Sequence, residues 1–241
     1  MRTEGIDRFK CKLQRAITNN KNIKKIMTKT FINSQEIKTL PKQEKTHLIN
    51  SLGGFKSVGL IGTKSLKGNS NLAVFSSIFH IGANPPLIAL IFRPSPPDRD
   101  TLINIIESGF YTINHVNETI FKQAHQTSAR YDASISEFEV TGLTAEYKNN
   151  FEAPFVQESN IQLGIQFKEK IDITINSTQM VIGEIVQIYF PQECQSTDGF
   201  IDIEKAKTIT CSGLDSYHKT IKLDRLSYAK PNLAITSIAS I

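Results

Sequence analysis

Two arginines and a helix start are the most chemically suggestive features of the chain. The apolar run 87–92 (LIALIF) ends in Arg93, a proline-rich loop follows, and Arg99-Asp100-Thr101 then leads into a stretch with Leu102, Ile105 and Ile106 on one face. Asp100 or Thr101 reads as the cap of that helix and Gly109 as its stop. The unpaired N–H groups and partial positive charge of a helix start attract phosphate. Guanidinium forks and a threonine hydroxyl add to that attraction. The plainer alternative is an ordinary capped helix with solvent-exposed arginines.

A second candidate group is Asn71, Ser76 and Ser77, set in the apolar segment 71–82 (NLAVFSSIFHIG). Read as one long strand, this segment lines a polar slot in a greasy pocket, or else turns its polar residues to water. No base is identifiable beside either serine, so neither reads as a nucleophile. His80 and His115 read as ordinary core or surface histidines, whereas His125 stands near a helix end, within reach of a site.

Several chemistries are excluded. The chain has no GxSxG, GxxxxGK[ST], GxGxxG or HExxH motif, no CxxC, and no pair of histidines at zinc-ligand spacing. Three scattered cysteines form no disulfide framework. No apolar run is long enough for a membrane helix, and the N-terminus lacks the apolar region of a secretory signal. The expectation is a soluble, cytoplasmic protein without a nucleic-acid or membrane partner.

The net charge of +5 over 241 residues superficially suggests an acidic partner. Residues 1–26, however, hold eight basic and two acidic groups, a net +6, which leaves 20 basic and 21 acidic groups, or −1, for the rest. Ile6, Phe9, Leu13 and Ile17 are spaced as one helix face, so a basic amphipathic helix on a membrane or partner is one reading of this segment. The favoured reading is a disordered tail, or a stretch preceding a natural start at Met27.

The elements that must position the candidate residues are mostly strands. A helical pattern over 36–51 leads to Gly53-Gly54, and strand-like segments follow at 57–63, 71–82, 87–92, 110–116, 161–168 and 181–190. Helices are expected after residue 100 and over 117–129, with an irregular C-terminal stretch. Two helices among six or more strands imply a mainly β fold, a barrel decorated with helices, and not a doubly wound sheet.

In their order along the chain these residues resemble the flavin reductase-like family, of which flavoredoxin is a relative. The resemblance rests on Gly68-x-x-Asn71-Leu72-Ala73-x-Phe75-Ser76-Ser77, Pro85-Pro86, Arg99-Asp100-Thr101-x-x-Asn104-Ile105 and Tyr111-Thr112-Ile113-Asn114. Thr127-Ser128-Ala129, Glu137-Phe138, Gly142-Leu143-Thr144 and Gly183-Glu184 continue it, so that it covers roughly residues 50–220. It implies a Greek-key, FMN-binding split β-barrel with inserted α-helices, and a homodimer. It divides the chain into an extension (1–26), a helical lead-in (27–50), the split-barrel domain (51–230) and a tail (231–241).

The resemblance further implies that Asn71, Ser76 and Ser77 contact the isoalloxazine edge. Arg99, Asp100 and Thr101 would hold the phosphate with Arg93 nearby, and His125 would lie at the cofactor. The implied function is an NAD(P)H:flavin or acceptor oxidoreductase using FMN, or FAD, with NAD(P)H as co-substrate. Its acceptor is a small molecule or a partner redox protein. An FMN-binding electron carrier or flavin-storage protein is the alternative.

Overall fold

The computed structural model describes residues 29–94, 100–132 and 134–238. The basic segment 1–26 and Arg99 therefore lie outside the described residues. The chain divides into a unit ending at Lys45 and a unit from Thr46 to Ile241. In place of the single expected lead-in helix there are two, α1 (Ser34–Thr39) and α2 (Lys42–Leu52). Pro41 separates them, holding Leu40 in an extended conformation (ψ 139°) that ends α1. Asn33 caps α1, accepting from the Gln35 and Glu36 amides at 2.9 and 3.0 Å, while Glu36 accepts from the Asn33 amide.

The second unit continues with β1 (Lys56–Ser57), β2 (Gly59–Lys64), β3 (Ser70–Phe75), β4 (Ile78–Ala83), β5 (Pro86–Phe92), α3 (Asp100–Ser108) and β6 (Phe110–His115). Next come α4 (Phe121–Gln126), α5 (Glu137–Thr141), β7 (Ala145–Glu146), β8 (Phe155–Val156), β9 (Gln162–Ile173), β10 (Thr178–Tyr189), β11 (Thr210–Ser212) and β12 (Ser216–His218). Seven strands form one antiparallel sheet in the order β3-β2-β6-β9-β10-β5-β4.

The segment 71–82 is two strands, not the one expected, and they occupy opposite edges of this sheet. Laid flat, seven strands would separate those edges by about 29 Å. Only Ser76 and Ser77 link Phe75 to Ile78, a reach of about 11 Å. The sheet must therefore curl until its edges meet at the two serines. Phe75 and Phe92 close the seam from inside, their ring centroids 4.9 Å apart in an edge contact, and the Ile91 amide donates to the Ser77 carbonyl at 3.1 Å.

The barrel interior is filled by Ile61, Leu90, Phe92, Tyr111, Ile113, Ile165 and Val181. Helix α3 adds Leu102 and Ile105 to this core. A second core, with Leu60, Leu72, Val116, Ala124 and Phe138, packs α4 and α5 on the outside of β2 and β3. Strand β2 is consequently buried on both faces, which explains its unbroken apolar character. The helix expected over 117–129 is only Phe121–Gln126. The Asn117 carboxamide accepts from the Thr119 amide and donates to the Glu158 carbonyl, pinning 117–120 as a turn.

His115, at the end of β6, is enclosed with Nδ1 3.2 Å from Thr208 Oγ1, and burial lowers its pKa from 6.5 to about 4. Above pH 6.5 both folded and unfolded chains carry a neutral ring. Between 6.5 and about 4 the unfolded chain takes up a proton that the folded protein refuses, so folding stability falls across that window. His115→Gln is expected to show a smaller loss. Urea midpoints of both proteins at pH 7 and pH 4.5 check this, and equal losses would contradict it.

Candidate functional site

The seam and the start of α3 open onto one cleft of about 910 Å³. Asn71, Ser76, Ser77, Arg93, Asp100, Thr101 and His125 all line it. Seven of the eight candidate residues are thus brought together, and the eighth, Arg99, is the one outside the described residues. Position along the elements explains the convergence. Asn71 lies on β3, the serines link that strand to β4, Arg93 follows β5, and Asp100 and Thr101 open α3.

The polar end of the cleft is a linked set of side chains. Asn71 Nδ2 donates to Thr63 Oγ1 at 3.1 Å and to Thr101 Oγ1 at 3.0 Å, and Asn104 Nδ2 donates to the same Thr63 oxygen at 3.1 Å. Neither Asp100 nor Thr101 is the expected N-cap, since α3 already begins at Asp100 and both lie within its first turn. The Thr101 hydroxyl oxygen is instead engaged by Asn71 of β3. Thr101 lines the cleft, and its hydroxyl donates to no acceptor among the described residues. Around it are the α3 amides that a helix start leaves unpaired.

Two carboxylates share this end of the cleft. Glu137, on α5, accepts from the Leu72 amide at 2.9 Å. Burial raises its pKa, and the nearby charge of Asp100 adds to the rise, against the lowering effect of the Leu72 hydrogen bond. Its ionisation consequently costs stability at neutral pH, and that cost disappears as pH falls below the unfolded carboxylate value. Glu137→Gln keeps an acceptor for Leu72 without the charge. It is expected to melt higher than the parent at pH 7, with the gap closing near pH 4. A gap that widens on acidification would contradict this.

Another part of the lining comes from the β11–β12 hairpin, which pairs with β1. Tyr217 of β12 lies 2.9 Å from His125 Nδ1 through its hydroxyl, and its ring also contacts Phe121. Cys211 of β11 reaches the cleft floor beside Ser76, where burial pushes its thiol pKa up, against lowering by Lys56 and by the Ser76 hydrogen bond. Tyr217, Cys211 and the role of Glu137 escaped sequence reasoning. They lie 66 to 146 residues beyond Asn71, and no local spacing connects them to it.

Not every resemblance motif belongs to the cleft. Asn114 donates to the Leu60 carbonyl and to Thr112 Oγ1 and accepts from the Val156 amide, while Thr112 donates to the Pro154 carbonyl. These bonds tie the segment before β8 over Gly62, where a Cβ would strike the Pro154 oxygen. Asn114 is structural.

Residues 55–204 match the family model described as the flavin reductase like domain. The chain belongs to the flavin reductase-like family. A Shewanella frigidimarina NCIMB 400 protein, described as a flavin reductase with a split barrel domain, is 49% identical, with a TM-score of 0.80 over 83% of this chain and 100% of that one. Nitrilotriacetate monooxygenase component B from Bacillus cereus is 24% identical, with a TM-score of 0.73 over 83% and 99%. Flavoredoxin of Desulfovibrio vulgaris (Miyazaki F) is 22% identical, with a TM-score of 0.63 over 86% and 99%. The last two share the fold. The barrel of this flavin reductase-like chain is accordingly a split barrel, mainly β with inserted helices, and its activity is flavin-related oxidoreduction.

Proposed function

We propose that the cleft binds FMN, in preference to FAD, and that the protein is an NAD(P)H-dependent flavin or acceptor oxidoreductase. The observation that carries this reading is the convergence of Asn71, Ser76, Ser77 and Thr101 on one cleft. The residues present fit the group. Hydroxyls and an amide stand along a cleft with apolar walls at Val74 and Ile91, and a hydroxyl donor meets a helix start at one end. Its volume falls within the range of cofactor sites.

When bound, the flavin supplies the redox chemistry, accepting hydride from a nicotinamide and passing electrons to an acceptor. The chain's part is to bind and orient. Thr101 would donate a hydrogen bond to the phosphate together with the α3 amides, and Arg99 and Arg93 would add positive charge. Ser76 and Ser77 would hydrogen-bond the ring edge. No side chain need act as a general acid or base.

The protein is a homodimer in this proposal. Support comes from the segment following β12, where Ile221, Leu223 and Tyr228 are 87%, 99% and 87% exposed, a large apolar surface for one copy to leave in water. Light scattering should give twice the 27.0 kDa chain mass.

The deciding experiment is anaerobic mixing of FMN-reconstituted protein with NADH or NADPH. Bleaching of the flavin band within seconds is expected with at least one of them. A flavin that stays oxidised with both would instead leave an electron carrier or flavin-storage protein.

A further inference from the structure

We infer that Asn50, on the helix preceding the family domain, is a positioning residue that holds Arg93 ready for the FMN phosphate. The inference rests on the FMN reading above. Asn50 lies in the last turn of α2, outside the matched residues 55–204. Its carboxamide is engaged at both ends. Nδ2 donates to the Thr46 carbonyl at 2.7 Å, and Oδ1 accepts from Arg93 Nη2 at 2.9 Å. The helix thus orients the carboxamide and the carboxamide orients the guanidinium.

Arg93 is exposed at the rim of the cleft and has no salt bridge among the described residues. An exposed arginine loses considerable rotamer freedom on capturing an anion, and prior fixation removes much of that loss. Among the described residues its one partner is a neutral acceptor on one nitrogen, which leaves the other N–H groups able to donate. The local electrostatics favour such a cation. The start of α3 carries Asp100, and Glu137 shares that end of the cleft. A phosphate approaching there meets two carboxylates, which a fixed guanidinium offsets.

A double-mutant cycle on the full chain, read by flavin fluorescence, tests the inference. FMN and riboflavin share the ring and differ in the phosphate. Asn50→Ala should weaken FMN binding roughly 2- to 12-fold, the range for one hydrogen bond. Riboflavin affinity should stay unchanged, and Asn50→Ala should have no further effect on FMN when Arg93→Ala is already present.

Equal losses for FMN and riboflavin, or a loss that persists with Arg93→Ala, would show a merely structural role and overturn the inference. An unchanged FMN affinity would do the same. Asn50→Ser, too short to reach Arg93, replaces Asn50→Ala if that variant does not fold. Parental protein that binds FMN no better than riboflavin would remove the phosphate site itself, a failure of the FMN reading that is distinct from failure of the Asn50 link.

Discussion

Gly183→Val is expected to destabilise the barrel by about 3 kcal/mol or more, the upper end of overpacking costs. Gly183 lies on β10 at a register shift against β9, and a Cβ built there meets the Tyr111 hydroxyl at 2.5 Å and strikes the Ile165 side chain. Neither neighbour has room to retreat, since both are fully buried in the barrel core. The Tyr111 hydroxyl makes no hydrogen bond in that core, and burial pushes its pKa above the usual phenol range. Tyr111→Phe should therefore raise stability by about 1 kcal/mol, since an unsatisfied buried donor costs about that much or more. It should also relieve part of the Gly183→Ala defect, giving a favourable coupling in denaturant unfolding. Additive effects would mean that Ile165 alone sets the clash.

Thr101→Val should cost the most FMN affinity, roughly 10- to 150-fold, if its hydroxyl donates a charge-assisted hydrogen bond to the phosphate. Valine retains the shape, and Asn71 retains Thr63 as an acceptor, so the fold should lose only about 1 kcal/mol. Riboflavin affinity should not change. A parallel loss for riboflavin would mean that Thr101 merely supports the wall. Unchanged FMN affinity would mean that the phosphate lies elsewhere.

Local patterns revealed much of this molecule. Gly109 does end α3, with a left-handed φ of +76°, and Leu102 and Ile105 of the expected apolar stripe do face the core, whereas Ile106 is exposed. The stretch from Arg93 to Thr101 could be read as one constellation because its parts lie within nine residues of one another. What stayed hidden depends on closure. Residues 71–82 are apolar on both sides of Ser76-Ser77, and nothing local marks the serines as the point where the chain leaves one sheet edge for the other. Only the pairing order of all seven strands does so. The hairpin part of the lining was illegible for the same reason. Tyr217 reaches His125 across 92 residues, through a hairpin docked on the two-residue strand β1. The family resemblance identified Glu137 as a motif residue, but its bond to the Leu72 amide emerges only from the packing of α5 on β3.

A crystal structure of the protein grown with FMN decides whether flavin sits between the serine seam and the start of α3. The phosphate is expected within hydrogen-bond distance of Thr101 Oγ1 and the α3 amides, with the ring edge at Ser76 and Ser77. FMN bound outside this cleft, or lying in it with its phosphate toward Tyr217, would contradict the account.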